Sequence, residues 1–261
     1  MILSAPDIVY PETDGKPMAE NTLQYKWVTT IKGGIHAQYR NRSDVFVAGD
    51  LFWYPIEGDT NTCTAPDTMV VFGRPPGHRP SYKQFEEGGI PPQVVFEILS
   101  HSNRPKEMRE KLAFYDRFGV EEYYVYNPYR VTLEVYLRRD GELKRKAGIG
   151  KRFVSPLLSV KFELGSDLVV TGANGRQFED YPELVAQLET QELRANYQEQ
   201  NAIAYRFRAD GLAEQVKIEA ERADEEARRA KEAVQREADV LRQNGELQRQ
   251  LEELRARLKT Q

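Results

Sequence analysis

Three polar residues of this chain stand where polar residues are costly, and together they suit one chemistry. Glu97 lies inside the apolar run VVFEILS, Asp67 follows Pro66 at the head of DTMVVF, and Lys111 lies just over a turn into the next helical stretch. A carboxylate within an apolar strand is unfavourable unless it is paired or bound to a cation. Two carboxylates on neighbouring strands suit Mg²⁺, a hard ion that prefers oxygen ligands. A lysine beside them can stabilise developing charge or act on a water molecule. That combination serves metal-assisted phosphodiester hydrolysis. Spacing alone leaves a second reading open, in which Glu97 forms a buried salt bridge with Lys111 or Arg109.

Other reactive side chains form no comparable set. Asp50 either faces the same cleft or caps a turn toward Trp53. His101 directly follows the VVFEILS run and reads as a loop residue. His36 and His78 show no metal-ligand spacing with each other or with Cys63, the single cysteine. One cysteine excludes an intrachain disulfide and a thiolate zinc cluster. Trp27 and Trp53 read as core. No GxSxG, Walker A or GxGxxG sequence occurs.

Positioning these groups requires a mixed sheet. Leu23, Trp27, Ile31 and Ile35 recur every four residues in a helix that opens near Pro17, although Gly33-Gly34 weakens the pattern. Residues 44–55 read as one strand and 65–73 as a second. Residues 92–100 are apolar almost throughout, as in a strand buried on both faces. Met108, Leu112, Tyr115 and Phe118 form the apolar stripe of the following helix, with Gly119 as its C-cap. EEYYVYNP and VTLEVYLRR give two more strands. The rest to about residue 171 is β-rich with short strands, and residues 177–208 are helical. The order helix, three strands, helix, strand and extra β implies a mixed α/β sheet.

Composition changes abruptly along the 261 residues. All 14 prolines precede residue 183, and no aromatic residue follows Phe207. In residues 209–261, 24 of 53 side chains are charged, the composition of a long helix or coiled coil. Val216, Ala220, Ala223, Ala227, Ala230 and Val234 keep heptad steps, as do Val240, Asn244, Leu247, Leu251, Leu254 and Leu258. The two runs are out of phase by three residues, which reads as a stammer. Asn244 falls at an a position, where a buried Asn sets register and oligomeric state. These features imply an extended arm over 1–14, an α/β body that ends in a helical connector over 181–208, and a coiled coil over 209–261.

The segments PMAENT, VAGDLFWYP, APDTMVVFGRP, PPQVVFEILS, EKLAFYDRFGVEEYYVYNP and VSPLL together resemble the Uma-two family. These are restriction-endonuclease-like proteins of the PD-(D/E)XK nuclease superfamily, and the trailing coil resembles the cyanobacterial branch. The resemblance covers about residues 15–180. It implies a restriction-endonuclease-like core with its site on the second and third strands. Asp67 matches the Asp of the PD motif and Glu97 the acidic residue of (D/E)XK. Leu99 replaces the motif lysine, which is displaced to Lys111. Glu20 in PMAENT matches a helix-borne acidic residue that completes such sites. It equally fits a first-turn Glu beside the helix dipole. Asn127 stands where the family commonly has Asp.

The expected function is therefore a Mg²⁺-dependent DNA endonuclease, with Mn²⁺ as a substitute ion. Asp67, Glu97 and the main-chain carbonyl of Ile98 would ligate the metal, Lys111 would act on the attacking water, and Glu20 would assist. The alternative is a nuclease-fold module, weakly active or inactive, that works in binding or regulation through its coil. The net charge of −4 argues against tight non-specific DNA binding. Local positive charge lies in 73–84 (Arg74, Arg79, Lys83) and in 138–152. The coil implies a homodimer. No apolar run approaches the length of a membrane span, and MILSAPDIVYPETDG has no signal-peptide pattern, so a cytoplasmic protein is expected.

Overall fold

The computed structural model describes residues 8–13, 15 and 17–259, except for the side chains of 254 and 256–259. Residues 1–7 and 14 of the expected arm fall outside it. Within the described part of the arm, Tyr10 packs edge-on against Tyr54, 5.0 Å between centroids, and the Tyr54 hydroxyl donates to the Pro11 carbonyl at 2.6 Å.

Helix α1 spans Thr22–Tyr39. It starts later than the sequence pattern suggests. Asn21 is the N-cap, and its side chain accepts the Gln24 N–H at 3.0 Å, satisfying one orphan donor of the first turn. Pro17 and Glu20 therefore precede the helix. Gly34 has a packing reason for its place in α1: a Cβ there would lie 2.1 Å from the Phe178 ring.

The stretch 44–55 is two strands, not one. Strand β1 is Val45–Ala48 and β2 is Trp53–Tyr54. Between them Asp50 takes a left-handed φ of 49°, and the chain turns. The remaining strands are β3 (Thr68–Phe72), β4 (Tyr82–Lys83), β5 (Val94–Ile98), β6 (Glu122–Asn127), β7 (Thr132–Arg139), β8 (Glu142–Arg145), β9 (Arg152–Val154), β10 (Lys161–Leu164) and β11 (Leu168–Thr171). Helix α2 is Pro105–Arg117 and α3 is Tyr181–Lys259.

The principal sheet runs β1-β3-β5-β6-β7-β8. Its pairings are antiparallel except β5 with β6, which α2 connects. Side chains alternate across a strand, and both faces are covered. On one face Val70, Phe96 and Tyr124 pack with Trp27, Ile31 and Ile35 of α1 and with Phe162 and Val170 from the sheet β11-β10-β9. On the other, Met69, Val71, Val95 and Tyr123 pack with Tyr115 of α2, beside Met108, Leu112 and Phe118, and with Trp53 and Tyr82 of the parallel pair β2-β4. This two-sided cover explains why 92–100 is apolar almost throughout. The fold is a mixed α/β core with added strands and a long C-terminal helix.

Two compact units are present, 1–187 and 188–261. The first turn of α3 belongs to the first unit. Lys26 of α1 bonds Asp180 at 3.2 Å and Glu183 at 3.4 Å, and the Glu183 N–H donates to Asp180 Oδ1. From Tyr181 onward α3 is a single helix through both heptad runs. Among the described residues, no helix is long and apolar enough to cross a membrane.

Candidate active site

Pairing of β3 with β5 brings Asp67 and Glu97 together. Asp67 sits one residue before β3, and its Oδ2 accepts the Ile98 N–H at 2.6 Å. Glu97 is on the α2 face of β5, 3% exposed. Lys111 Nζ donates to Glu97 Oε2 at 2.7 Å, which identifies Lys111 rather than Arg109 as its partner. The Tyr115 hydroxyl donates to the other oxygen, Oε1. Lys111 and Tyr115 are four apart on α2 and so share one helical face.

The electrostatics follow from burial. Asp67 is pushed up to about 8, first by burial and then by the Glu97 charge, with the Ile98 N–H and Lys111 opposing. Asp50 contributes in the same direction, so it lies near enough to sense Asp67. Burial lowers the Lys111 pKa, but attraction and a hydrogen bond to Glu97 outweigh that and raise it. Lys111 is thus an ammonium at neutral pH. Tyr115 is raised well above its ordinary value, chiefly by burial.

Glu20 reaches the same end of the sheet from before α1. The Ser102 hydroxyl donates to Glu20 Oε1, which ties the segment preceding α1 to the loop after β5. The Ile98 carbonyl accepts Gln24 Nε2 at 2.9 Å. A carbonyl has two lone pairs, so one remains.

Sequence reasoning missed Gln24, Ser102 and the polar role of Tyr115. Tyr115 was legible as the i+4 neighbour of Lys111. Gln24 was legible through Asn21-x-x-Gln24, the spacing of a capping box. Its amide oxygen accepts the Glu20 N–H at 3.0 Å while its nitrogen reaches across to Ile98.

The two basic stretches are mostly engaged internally. Arg74 and Arg79 both clamp Glu87, at 2.6 and 2.5 Å, and Lys83 pairs with Glu86. Arg138 binds Asp116, Arg145 binds Glu134 and Arg152 binds Glu163. Trp27 and Trp53 are core residues, as expected.

The family described as "Uma2: Putative restriction endonuclease" matches residues 15–168. A solved structure, "a putative nuclease belonging to DUF820 from Anabaena variabilis ATCC 29413", is similar at 15% identity and a TM-score of 0.41, over 56% of this chain and 80% of that one. No curated protein matches the chain. The family match spans more than half of the sequence, and the chain belongs to the Uma2 family.

Proposed function

We propose that the protein is a metal-dependent DNA endonuclease whose centre is Asp67, Glu97, Ile98 and Lys111. One observation carries this reading: two buried carboxylates converge from paired strands with a protonated lysine on one of them. The donor chemistry fits Mg²⁺ or Mn²⁺. Asp67 is held with a raised pKa beside Glu97, and a cation shared by both carboxylates removes that repulsion. Mg²⁺ commonly binds through one or two carboxylates and keeps several waters. Among the described residues no cage of three or more His, Cys, Asp or Glu side chains is present, so Asp67, Glu97 and the Ile98 carbonyl would hold the ion together with water.

When bound, the ion supplies Lewis acidity toward a phosphoryl oxygen and lowers the pKa of water. The chain's own groups do the rest. Asp67 and Glu97 hold the cation. Lys111, as an ammonium, donates to a phosphoryl oxygen or to the attacking water rather than taking its proton. Tyr115 keeps Glu97 in one orientation. Glu20, held by Ser102, forms no metal-holding group with Asp67 and Glu97, so its assistance would run through water. Hydrolysis bonds the water oxygen to phosphorus and breaks one P–O ester bond, and the departing oxygen is protonated.

A second reading rests on a different observation. Both Glu97 oxygens are already hydrogen-bonded, and the basic loop 73–84 folds its arginines onto Glu87. This favours a binding or regulatory module that works through its coil. Incubating supercoiled and linear DNA with the protein, with and without Mg²⁺ or Mn²⁺, decides between the two. Metal-dependent cutting that is lost in Glu97→Ala supports the endonuclease. No cutting by the wild type under any of these conditions supports the module.

The coil is proposed to join two copies in a homodimer. Val216, Val234, Val240, Leu247 and Leu251 are each at least half exposed on α3. The side chains of Leu254 and Leu258, which continue that seam, lie outside the described residues. A dimer covers these apolar positions and brings two active sites into one assembly. A sedimenting dimer that becomes a monomer in Leu247→Ser/Leu251→Ser checks it.

A further inference from the structure

The mouth of the proposed site has a feature that phosphodiester chemistry alone does not use. His101 is exposed, and its ring lies on that of Tyr129, with centroids 3.8 Å apart and planes tilted by 32°. The two residues come from different loops that leave the same end of the sheet. β5 and β6 are its parallel pair, with Ile98 opposite Tyr126, and the Leu99 N–H donates to the Tyr126 carbonyl at 2.8 Å. The chain therefore leaves both strands on the side where α2 begins. In open α/β sheets this carboxyl end is where ligands bind. His101 is three residues past Ile98, at most about 10 Å of chain. That is roughly three stacked nucleotide steps.

The cations at this end differ from those of the two basic stretches. Arg104 lies three residues past His101 and Arg130 directly follows Tyr129; both are exposed, and among the described residues neither forms an ion pair. Arg104 is the N-cap of α2 and makes no side-chain capping bond, with Pro105 at the first helical position. The first-turn N–H groups of α2 thus add a phosphate-favouring end beside these guanidinium groups. The Tyr129 and Arg130 N–H groups both donate to Asn127 Oδ1, which fixes the second loop.

We infer that His101, backed by Tyr129, is a stacking platform for an unpaired base of single-stranded DNA, with Arg104 and Arg130 on the flanking phosphates. One face of the imidazole rests on Tyr129 while the residue stays exposed, so the other face is available to a base. Stacking accepts any base, because every base has a π-face. A base held within a duplex stack presents only its edge. The platform thus selects an unpaired strand or an extruded nucleotide. The inference rests on the nuclease reading of the adjoining site and names its substrate class.

The test is binding of the full-length chain in EDTA, so that no cutting intervenes. A fluorescent single-stranded oligonucleotide carrying 2-aminopurine is compared with the same sequence as a hairpin duplex. The single strand is expected to bind more tightly, with quenching of 2-aminopurine. His101→Ala is expected to weaken single-strand binding by roughly 5- to 150-fold and to abolish the quench, while His101→Phe retains both. Arg130→Ala is expected to weaken binding and to flatten its salt dependence. Duplex binding as tight as single-strand binding, or binding indifferent to His101→Ala, overturns the platform and leaves the nuclease reading intact. Binding of neither form by the wild type overturns the platform, while the nuclease reading stands or falls on metal-dependent cutting.

Discussion

Glu97 and Glu122 are both buried glutamates on the neighbouring strands β5 and β6, 3% and 2% exposed, yet their surroundings differ in kind. Around Glu122 every donor is neutral. Ser155 Oγ, the Tyr124 hydroxyl at 2.7 Å and the Leu157 N–H at 2.7 Å bind its two oxygens. It latches the SPLL loop to the start of β6. Around Glu97 lie an ammonium, a phenol and a second carboxylate. Burial of a carboxylate therefore does not by itself mark a site. What sets Glu97 apart is the pairing of an ammonium with a second carboxylate, since each glutamate has a buried tyrosine hydroxyl on it.

Substitutions at these glutamates and changes of pH and Mg²⁺ test that contrast. The largest effect is on cleavage: Glu97→Ala is expected to reduce metal-dependent DNA cutting by about 10³-fold, the scale of losing a preorganised electrostatic group, while Glu122→Gln leaves cutting measurable. Turnover of labelled DNA reads this. In stability the order reverses. Glu122→Ala strands Ser155, Tyr124 and the Leu157 amide in the core and is expected to cost about 3–5 kcal/mol in urea unfolding. Glu97→Gln keeps a hydrogen-bonding partner for Lys111 and Tyr115 and costs less.

The pH dependence separates the two pockets further. Asp67, raised to about 8 in the fold, keeps a proton that the unfolded chain has already lost above its ordinary carboxylate pKa. The metal-free fold therefore loses stability as pH rises from about 4 to 8. Glu97→Gln removes a charge that raises Asp67 and should flatten this slope, whereas Glu122→Gln should leave it. Denaturant midpoints across that range check both. Mg²⁺ must displace the same proton, so its affinity should rise by up to about tenfold per pH unit over that window. Thermal shift against Mg²⁺ concentration measures this. The smallest effect belongs to Gln24→Leu, which frees the Ile98 carbonyl. It is expected to change metal affinity by about 10-fold, the lower end for a group acting through a ligand, with little loss of stability.

The same pair of glutamates shows what the sequence could reveal. VVFEILS displays Glu97 as an intruder in an apolar run, and Asp67 stands out after Pro66, whereas Lys111 is off the motif position that Leu99 holds and is legible only through the family resemblance. Glu122 is masked because Glu121 precedes it and the stretch reads as a polar strand start. Its partner Ser155 is 33 residues away, across a sheet no local pattern describes. The strand order follows from apolar runs and one crossover helix. The split of 44–55 does not: the left-handed φ falls on Asp50 rather than on the adjacent Gly49, inside a stretch otherwise made of strand formers. Basic stretches mislead for the opposite reason. Arg74 and Arg79 look available in the loop sequence, but Glu87 follows within 13 residues and the fold closes them onto it.

Calorimetry with Mn²⁺ at pH 7, in two buffers of different ionisation enthalpy, measures metal binding by the Asp67–Glu97 pair directly. The wild type and Glu122→Gln are predicted to bind one ion with release of close to one proton, and Asp67→Asn to bind none. Equal binding by Asp67→Asn, or binding by the wild type without proton release, would contradict it.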